Sequence, residues 1–294
     1  MTEEGPPAVV TKRMEEALRS LANETRLRIL QALLASEGRP LSFSELRDAT
    51  GVADSGQFSY HLRRLTDQFV RRGDDGYELT YSGVALYHAL LAGTPFDEVA
   101  PLSVTFGGAC PDCAGPLALE YDQHTVTIAC VDCEAVLHHM PFPVGGVEGR
   151  EVPEILHAFD RRTRSLVFQA AGGVCPWCAG PMTQTLRLDP NAKDAGARGH
   201  QVKHACERCS GHLLTTVGEV LLTHPAVVSF YHDHGVDVDA VPMWELPFCV
   251  SDRAVAVESR DPVRLHVALE HGDDALVLVL DEQLAVRDSL TPAT

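Results

Sequence analysis

Four Cys-x-x-Cys pairs limit what this chain can fold into more than any other feature. Sixteen residues separate Cys110-Pro-Asp-Cys113 from Cys130-Val-Asp-Cys133, and twenty-seven separate Cys175-Pro-Trp-Cys178 from Cys206-Glu-Arg-Cys209. Each pair can form a tight knuckle with both sulfurs on one ion, and two knuckles close a tetrahedral four-cysteine site, which Zn2+ accepts readily. The candidate ligands are Cys110, Cys113, Cys130 and Cys133 for one site, and Cys175, Cys178, Cys206 and Cys209 for the other. Between the knuckles, Leu117–Tyr121 and Thr125–Ala129 read as a hairpin, as do Thr183–Leu188 and His200–His204. The longer second spacer holds an inserted loop at residues 190–196. The unit is duplicated: Gly108-Ala-Cys-Pro-Asp-Cys-Ala-Gly-Pro-Leu aligns with Gly173-Val-Cys-Pro-Trp-Cys-Ala-Gly-Pro-Met, and residues 153–159 loosely echo 225–230 downstream.

Each unit thus reads as a zinc ribbon followed by a helix, too short to bury much apolar surface, so that the metal supplies folding free energy directly. Two structural Zn2+ ions are the expected cofactors. Thiol redox chemistry is the rival for an isolated Cys-x-x-Cys, but here the pairs come in spaced twos without a βαβ pattern. Four cysteines leave no open coordination position for a catalytic water, so no enzymatic activity is expected. Iron is disfavoured by the absence of a cluster-type cysteine run. His138, His139, His204 and His212 stand near the knuckles and read as surface residues rather than substitute ligands. Cys249 reads as a buried apolar residue. Trp177 and Trp244 read as core, with lining a pocket as the alternative.

The first 92 residues carry a different pattern. Met14–Leu21 reads as a helix with Leu18 and Leu21 as its apolar contacts. Asn23 caps a second helix that runs to about Ala35 on Leu27, Ile29, Leu30, Leu33 and Leu34. Ser42-x-x-Glu45 is a capping box for a third helix, ended near Gly51, and Asp54-x-x-Gln57 opens a fourth. Phe58, Leu62 and Leu65, at helical spacing, pin that fourth helix to a core. The residues between them face outward and carry groups that contact bases and phosphates: Ser55, Gln57, Ser59, Tyr60, Arg63 and Arg64. His61 is either a packing histidine or a further contact. Val70–Arg72 and Tyr77–Thr80 form a hairpin around Gly73–Gly76, with Arg71 and Arg72 placed for phosphate contact, and Ser82–Ala92 is a closing apolar helix. Three short helices and a two-stranded wing make a winged helix-turn-helix.

The strings Leu21-Ala-Asn-Glu-Thr-Arg-Leu-Arg-Ile-Leu30 and Phe58-Ser-Tyr-His-Leu-Arg-Arg-Leu65 resemble the ArsR-type winged-helix transcriptional regulators, as found in archaea. The likeness covers about residues 14–92. It implies a homodimer bound to double-stranded DNA at an operator with two half-sites. The metal motif of that family's metal sensors has no counterpart, since residues 1–109 contain no cysteine.

Charge divides the chain in the same place. The whole carries −17; residues 1–92 hold 11 Lys+Arg against 13 Asp+Glu, a net −2, and residues 93–294 hold 13 against 28, a net −15. Within 12–72 the balance is 11 against 8, a net +3. With three lysines among 24 basic residues, the chain resembles proteins of salt-loving archaea. In a salt-rich cytoplasm the Debye length is about 3 Å or less, which screens the acidic half from DNA. No apolar run approaches a membrane span and the first residues lack a signal-peptide pattern, so a cytoplasmic protein without membrane contact is expected.

The expected architecture is therefore α+β: a flexible segment 1–13, a winged helix at 14–95, ribbon-plus-helix units at 102–172 and 173–240, and short C-terminal β-strands at 241–294 (Ala254–Val257, Val263–Leu269, Ala275–Leu280, Leu284–Val286). Val152–Ala170 reads as a helix, Leu213–Leu222 as strand and His224–His234 as helix. The function expected is sequence-specific transcription regulation, with the ribbons as a regulatory or protein-contact half. The alternative is a co-regulator that docks the transcription machinery through protein contacts.

Overall fold

The computed structural model describes residues 8–91, 99–188 and 199–291, and the statements below concern those residues. The expected flexible segment lies outside them up to residue 7, as does the inserted loop at 190–196. The chain divides into two compact units, residues 1–97 and 98–294, each described by itself.

The first unit runs α1 (Ala8–Leu21), α2 (Glu24–Ala35), α3 (Phe43–Thr50), α4 (Ser55–Leu65), a hairpin of β1 (Val70–Arg72) and β2 (Tyr77–Leu79), and α5 (Tyr81–Leu91). Helix α1 begins six residues before the Met14 expected from the sequence. The starts of the next three helices are fixed by side chains. Asn23 accepts from the Arg26 N–H, Ser42 and Glu45 form a complete capping box, and Asp54 accepts from the Gln57 N–H at 2.8 Å. Gly51 ends α3 in the left-handed conformation that its lack of a Cβ permits. Ile29, Leu30, Leu33, Leu46, Phe58, Leu62 and Leu65 form the core, closed by Phe69, Val70 and Tyr87. Leu18 and Leu27, expected on that core, are 64% and 37% exposed; Leu21 is buried there as expected, with Ala17 packed beside it. In the hairpin Val70 pairs with Leu79 and Arg72 with Tyr77, and Leu41 bridges Tyr77 on its other side. That approach requires Gly76, where a Cβ would lie 2.5 Å from the Leu41 carbonyl oxygen.

The second unit starts with an antiparallel meander, β3 (Leu102–Ala109), β4 (Pro116–Asp122), β5 (Thr125–Cys130) and β6 (Val136–Pro141). The central hairpin is the expected one, and the structure adds the flanking strands β3 and β6. Helix α6 (Val152–Ala171) follows, then a sheet of β7 (Met182–Leu188), β8 (His200–Cys206) and β9 (His212–Thr216). The run read as one strand over 213–222 breaks at Thr216. There a complete Thr216/Glu219 capping box turns the chain into α7 (Val217–Leu221). Helices α8 (Pro225–Asp233) and α9 (Pro247–Val250) lead to a final meander of β10 (Val255–Arg260), β11 (Val263–His271), β12 (Asp274–Asp281) and β13 (Val286–Leu290). The last strand begins where its prediction ended, because Leu284 sits at φ 59° inside the turn. The architecture is mixed α+β throughout.

The three domains expected over residues 102–294 share one hydrophobic cluster among their described residues. Leu117, Leu119, Tyr121, Val126 and Ile128 of the first meander join Phe159 of α6, Val227 and Tyr231 of α8, Trp244, Phe248, and Leu265, Val267 and Leu278 of the last meander. Alternating burial along β4, β5 and β8 shows each sheet covered on one face. No helix among the described residues is long and apolar enough to cross a membrane.

Candidate functional site

Two clusters gather the eight paired cysteines as the spacing predicts. Within each, the four sulfurs lie within 4.8 Å of one another. In the first, Cys110 and Cys133 are 3.7 Å apart and Cys113 and Cys130 3.4 Å. In the second, Cys175–Cys209 is 3.7 Å and Cys178–Cys206 3.5 Å. A tetrahedral Zn2+ with sulfurs at about 2.3 Å sets its ligands about 3.8 Å apart, so both clusters fit one such ion with little movement. The first cysteine of every knuckle is buried, while Cys113, Cys133 and Cys209 are exposed and Cys178 half-buried.

The backbone builds these knuckles by one rule used four times. The residue after the second cysteine has positive φ in each case: Ala114 (61°), Glu134 (59°), Ala179 (54°) and Ser210 (57°). None is glycine, so the conformation is imposed by its surroundings. The N–H of the first cysteine donates to the carbonyl five residues on, at Gly115, Ala135, Gly180 and Gly211, over 2.8–2.9 Å. At three of these positions glycine is needed for contact with the opposite knuckle. A Cβ on Gly115 would lie 2.5 Å from Asp132, one on Gly180 2.9 Å from Arg208, and one on Gly211 2.9 Å from Trp177. The proline carbonyl beside each unit's first knuckle accepts an N–H from its second: Val131 to Pro116 (2.9 Å) and Glu207 to Pro181 (3.1 Å). The repeat seen in sequence is thus a repeat of hydrogen bonds.

Electrostatics favour a cation in both clusters. The Cys206 thiol is pulled down to about 6, first by the Cys209 N–H and, against burial, by the Arg208 N–H. At Cys130 burial pushes upward, but the N–H groups of Cys133 and Asp132 bring it down to about 7. Cys113 and Cys209 each receive a lowering N–H, from Gly115 and Gly211, yet rise to about 12 because neighbouring sulfurs crowd them. Four sulfurs so close cannot all ionise unless a cation offsets the repulsion. The clusters hold cysteine alone; the nearby histidines have other places. His139 and His212 are exposed as expected, but His138 and His204 are buried, which corrects their reading as surface residues. His138 faces Glu219 of α7 at 3.5 Å, and His204 pairs with the Thr215 hydroxyl at 3.0 Å. Cys249 is fully buried, as expected. Trp244 is core, whereas Trp177 is 52% exposed over Gly211.

The other expected site is the outer face of α4. Phe58, His61, Leu62 and Leu65 are buried; Ser55, Gln57, Tyr60, Arg63 and Arg64 are exposed, and Ser59 is half-buried. His61 therefore leaves the candidate contact set. It follows Phe58 by three residues and precedes Leu65 by four, so the helix turns it inward, and burial together with the Arg26 charge holds its pKa below the ordinary value. Arg64 lies over the Tyr60 ring at 5.6 Å and bonds its hydroxyl at 3.5 Å, fixing two neighbouring polar ends on one patch. On the hairpin Arg72 stands over Tyr77, while Arg71 is ion-paired to Glu78 at 2.7 Å. Asp74 and Asp75 occupy the hairpin tip and are exposed, which sets two negative charges beside the strand arginines. Cationic charge on the hairpin is thus confined to its strand, next to α4 in sequence, and partly offset.

A family model described as Domain of unknown function (DUF7351) matches residues 107–286, and another, described as Domain of unknown function (DUF7347), matches residues 14–90. Each falls inside one of the two compact units. No curated protein and no solved structure gives a significant match.

Proposed function

The chain belongs to the DUF7351 family, and we propose that it is a sequence-specific DNA-binding transcription regulator. In this reading residues 8–91 are a winged helix-turn-helix of the ArsR type, α4 is the recognition helix, and β1–β2 is the wing. The four-cysteine clusters are zinc ribbons with structural Zn2+, and residues 98–294 are the regulatory or protein-contact half. The observation that carries the reading is the make-up of α4. Its buried face is apolar apart from His61, and its exposed face holds Ser55, Gln57, Tyr60, Arg63 and Arg64 without a large aliphatic side chain. Gln and Arg read base edges by paired hydrogen bonds, and Ser and Tyr reach phosphates. A homodimer formed beside α5, where Tyr81 is 87% exposed, would present two such helices to an operator with two half-sites.

A second reading is favoured by the acidic second half, net −15 over residues 93–294. That surface suits a basic protein partner rather than nucleic acid, so the ribbons could dock the transcription machinery and make the chain a co-regulator.

A labelled duplex titrated with the full chain across KCl concentrations separates the two. For the regulator, binding weakens with salt, and Arg63→Ala/Arg64→Ala lowers affinity and flattens the log–log salt slope by about 0.9 for each lost phosphate contact. Equal binding by wild type and variant, or none at any salt, would move the assignment to protein docking.

A further inference from the structure

We infer that β7 is an interface between two copies of this chain, pairing antiparallel with the β7 of the second copy about a twofold axis at Leu186. Among the described residues, the three sheets of the second unit end in six edge strands. Four of these, β3, β6, β10 and β13, hold extra residues that break register with the neighbouring strand: Gly107 and Gly108, Leu137, Glu258 and Arg287. Such bulges twist an edge away from further pairing. The fifth, β9, is five residues long and turns directly into α7. Strand β7 has none of these protections. Its seven residues run in unbroken register with β8, without proline, and its half-buried face holds Met182, Gln184, Leu186 and Leu188 without a charge. An edge left this regular is a template for another strand.

The backbone shows which groups the edge offers. The Met182 N–H donates away from β8, to the Gly173 carbonyl at 3.0 Å. Antiparallel pairing alternates along a strand, so the N–H and C=O of Gln184, Leu186 and Leu188 point to that same open side. None of them pairs with another described residue. A twofold axis at Leu186 sets Leu186 against the partner's Leu186 and Gln184 against the partner's Leu188, each a pair that exchanges both N–H···O bonds. On the exposed face the same register places Arg187 opposite the partner's Thr185, so like charges do not oppose each other. On the other face leucine meets leucine beside a groove of about 620 Å3 between β7 and the turns of the last meander. There Val263 adds apolar surface, and Arg260 and Glu282 supply one charge of each sign. Charge also favours a second copy meeting at this place. The chain carries −17 and repels its own kind, but β7, β8 and β9 contain no Asp or Glu. The inference stands whether or not the first unit binds DNA.

Hydrogen exchange of the full metal-loaded chain over a concentration series, paired with sedimentation velocity, tests it. Exchange in residues 182–188 should slow as the chain associates. A dimer formed through the first unit would leave that segment unchanged, so the place of protection tells the two contacts apart. Gln184→Pro removes an N–H that β8 does not use; the melting temperature should hold while association weakens on the order of tenfold or more. Thr185→Arg, on the exposed face, should weaken association about threefold by opposing Arg187 of the partner subunit, and Thr185→Glu should strengthen it by a similar factor. If Gln184→Pro fails to fold, the two Thr185 variants decide. Exchange in residues 182–188 that is independent of concentration up to the millimolar range, or full protection of that segment in a sedimenting monomer, would overturn the inference. So would a folded Gln184→Pro chain that associates as tightly as wild type, or equal association of Thr185→Arg and Thr185→Glu.

Discussion

At the scale of single residues, helix periodicity explains where side chains face, and burial then sets their chemistry. His61 could be left as either packing or contact from sequence because it lies at the boundary of the α4 stripe; the structure puts it inside, 8% exposed. Burial disfavours its charged form, so its folded pKa lies below the ordinary value of about 6.5. The unfolded chain then takes up the proton first as pH falls. The contribution is fully present above about pH 6.5 and is lost as pH falls toward the lowered folded value. Amide exchange of α4, corrected for intrinsic rates, should accelerate as pH falls through and below about 6.5. His61→Gln should flatten that dependence, and an unchanged profile in the variant would remove His61 as the cause. His138 and His204, expected at the surface, are buried. Their partners, Glu219 and Thr215, lie in other elements, and nothing local in the sequence announces a buried polar pair.

At the scale of elements, what was legible was what is encoded by neighbours in the chain. The caps at Asn23, Ser42 and Asp54, the glycine stop at Gly51, the hairpin around Gly73–Gly76 and the knuckles all involve residues within a few positions of each other. The α7 turn was encoded in the same way, by Thr216 and Glu219, but Leu213-Leu-Thr-Thr-Val217 has strong strand propensity and masked it. The packing of α7 gives a sharp prediction. A Cβ on Gly218 would lie 1.7 Å from the Phe248 carbonyl oxygen, which belongs to the backbone of α9 and cannot rotate away. Gly218→Ala should therefore destabilise the second unit by about 3 kcal/mol or more in denaturant unfolding, well beyond the usual cost of a surface substitution. Thr216→Val should cost about 1–3 kcal/mol. It removes both the cap on the Glu219 N–H and the buried 2.6 Å bond to the Cys249 carbonyl. A substitution at either position that left unfolding unchanged would contradict the described contact.

At the scale of the whole molecule, the division into two halves was visible in charge and in cysteine placement. The fusion of the two cysteine-bearing sheets with the C-terminal strands into one core was not. That core gathers residues more than a hundred positions apart, such as Leu119 and Leu265, and no local pattern specifies it. Separate cores in the two units predict separate responses to metal. Native mass spectrometry should find two Zn2+ per chain, with Cys110→Ser and Cys175→Ser each losing one. Chelation should collapse the knuckle region of the second unit while the first, whose core contains no cysteine, keeps its cooperative unfolding. Simultaneous loss of both units on chelation would contradict that separation.

The central claim is that the exposed face of α4 reads DNA sequence, and the most direct measurement is selection of binding sites from random duplex DNA at high KCl, with wild type and Arg63→Ala/Arg64→Ala in parallel. Recovery of an inverted repeat by wild type and not by the variant is the predicted result. The same motif recovered by both proteins, or no enrichment by wild type at any salt concentration, would contradict it.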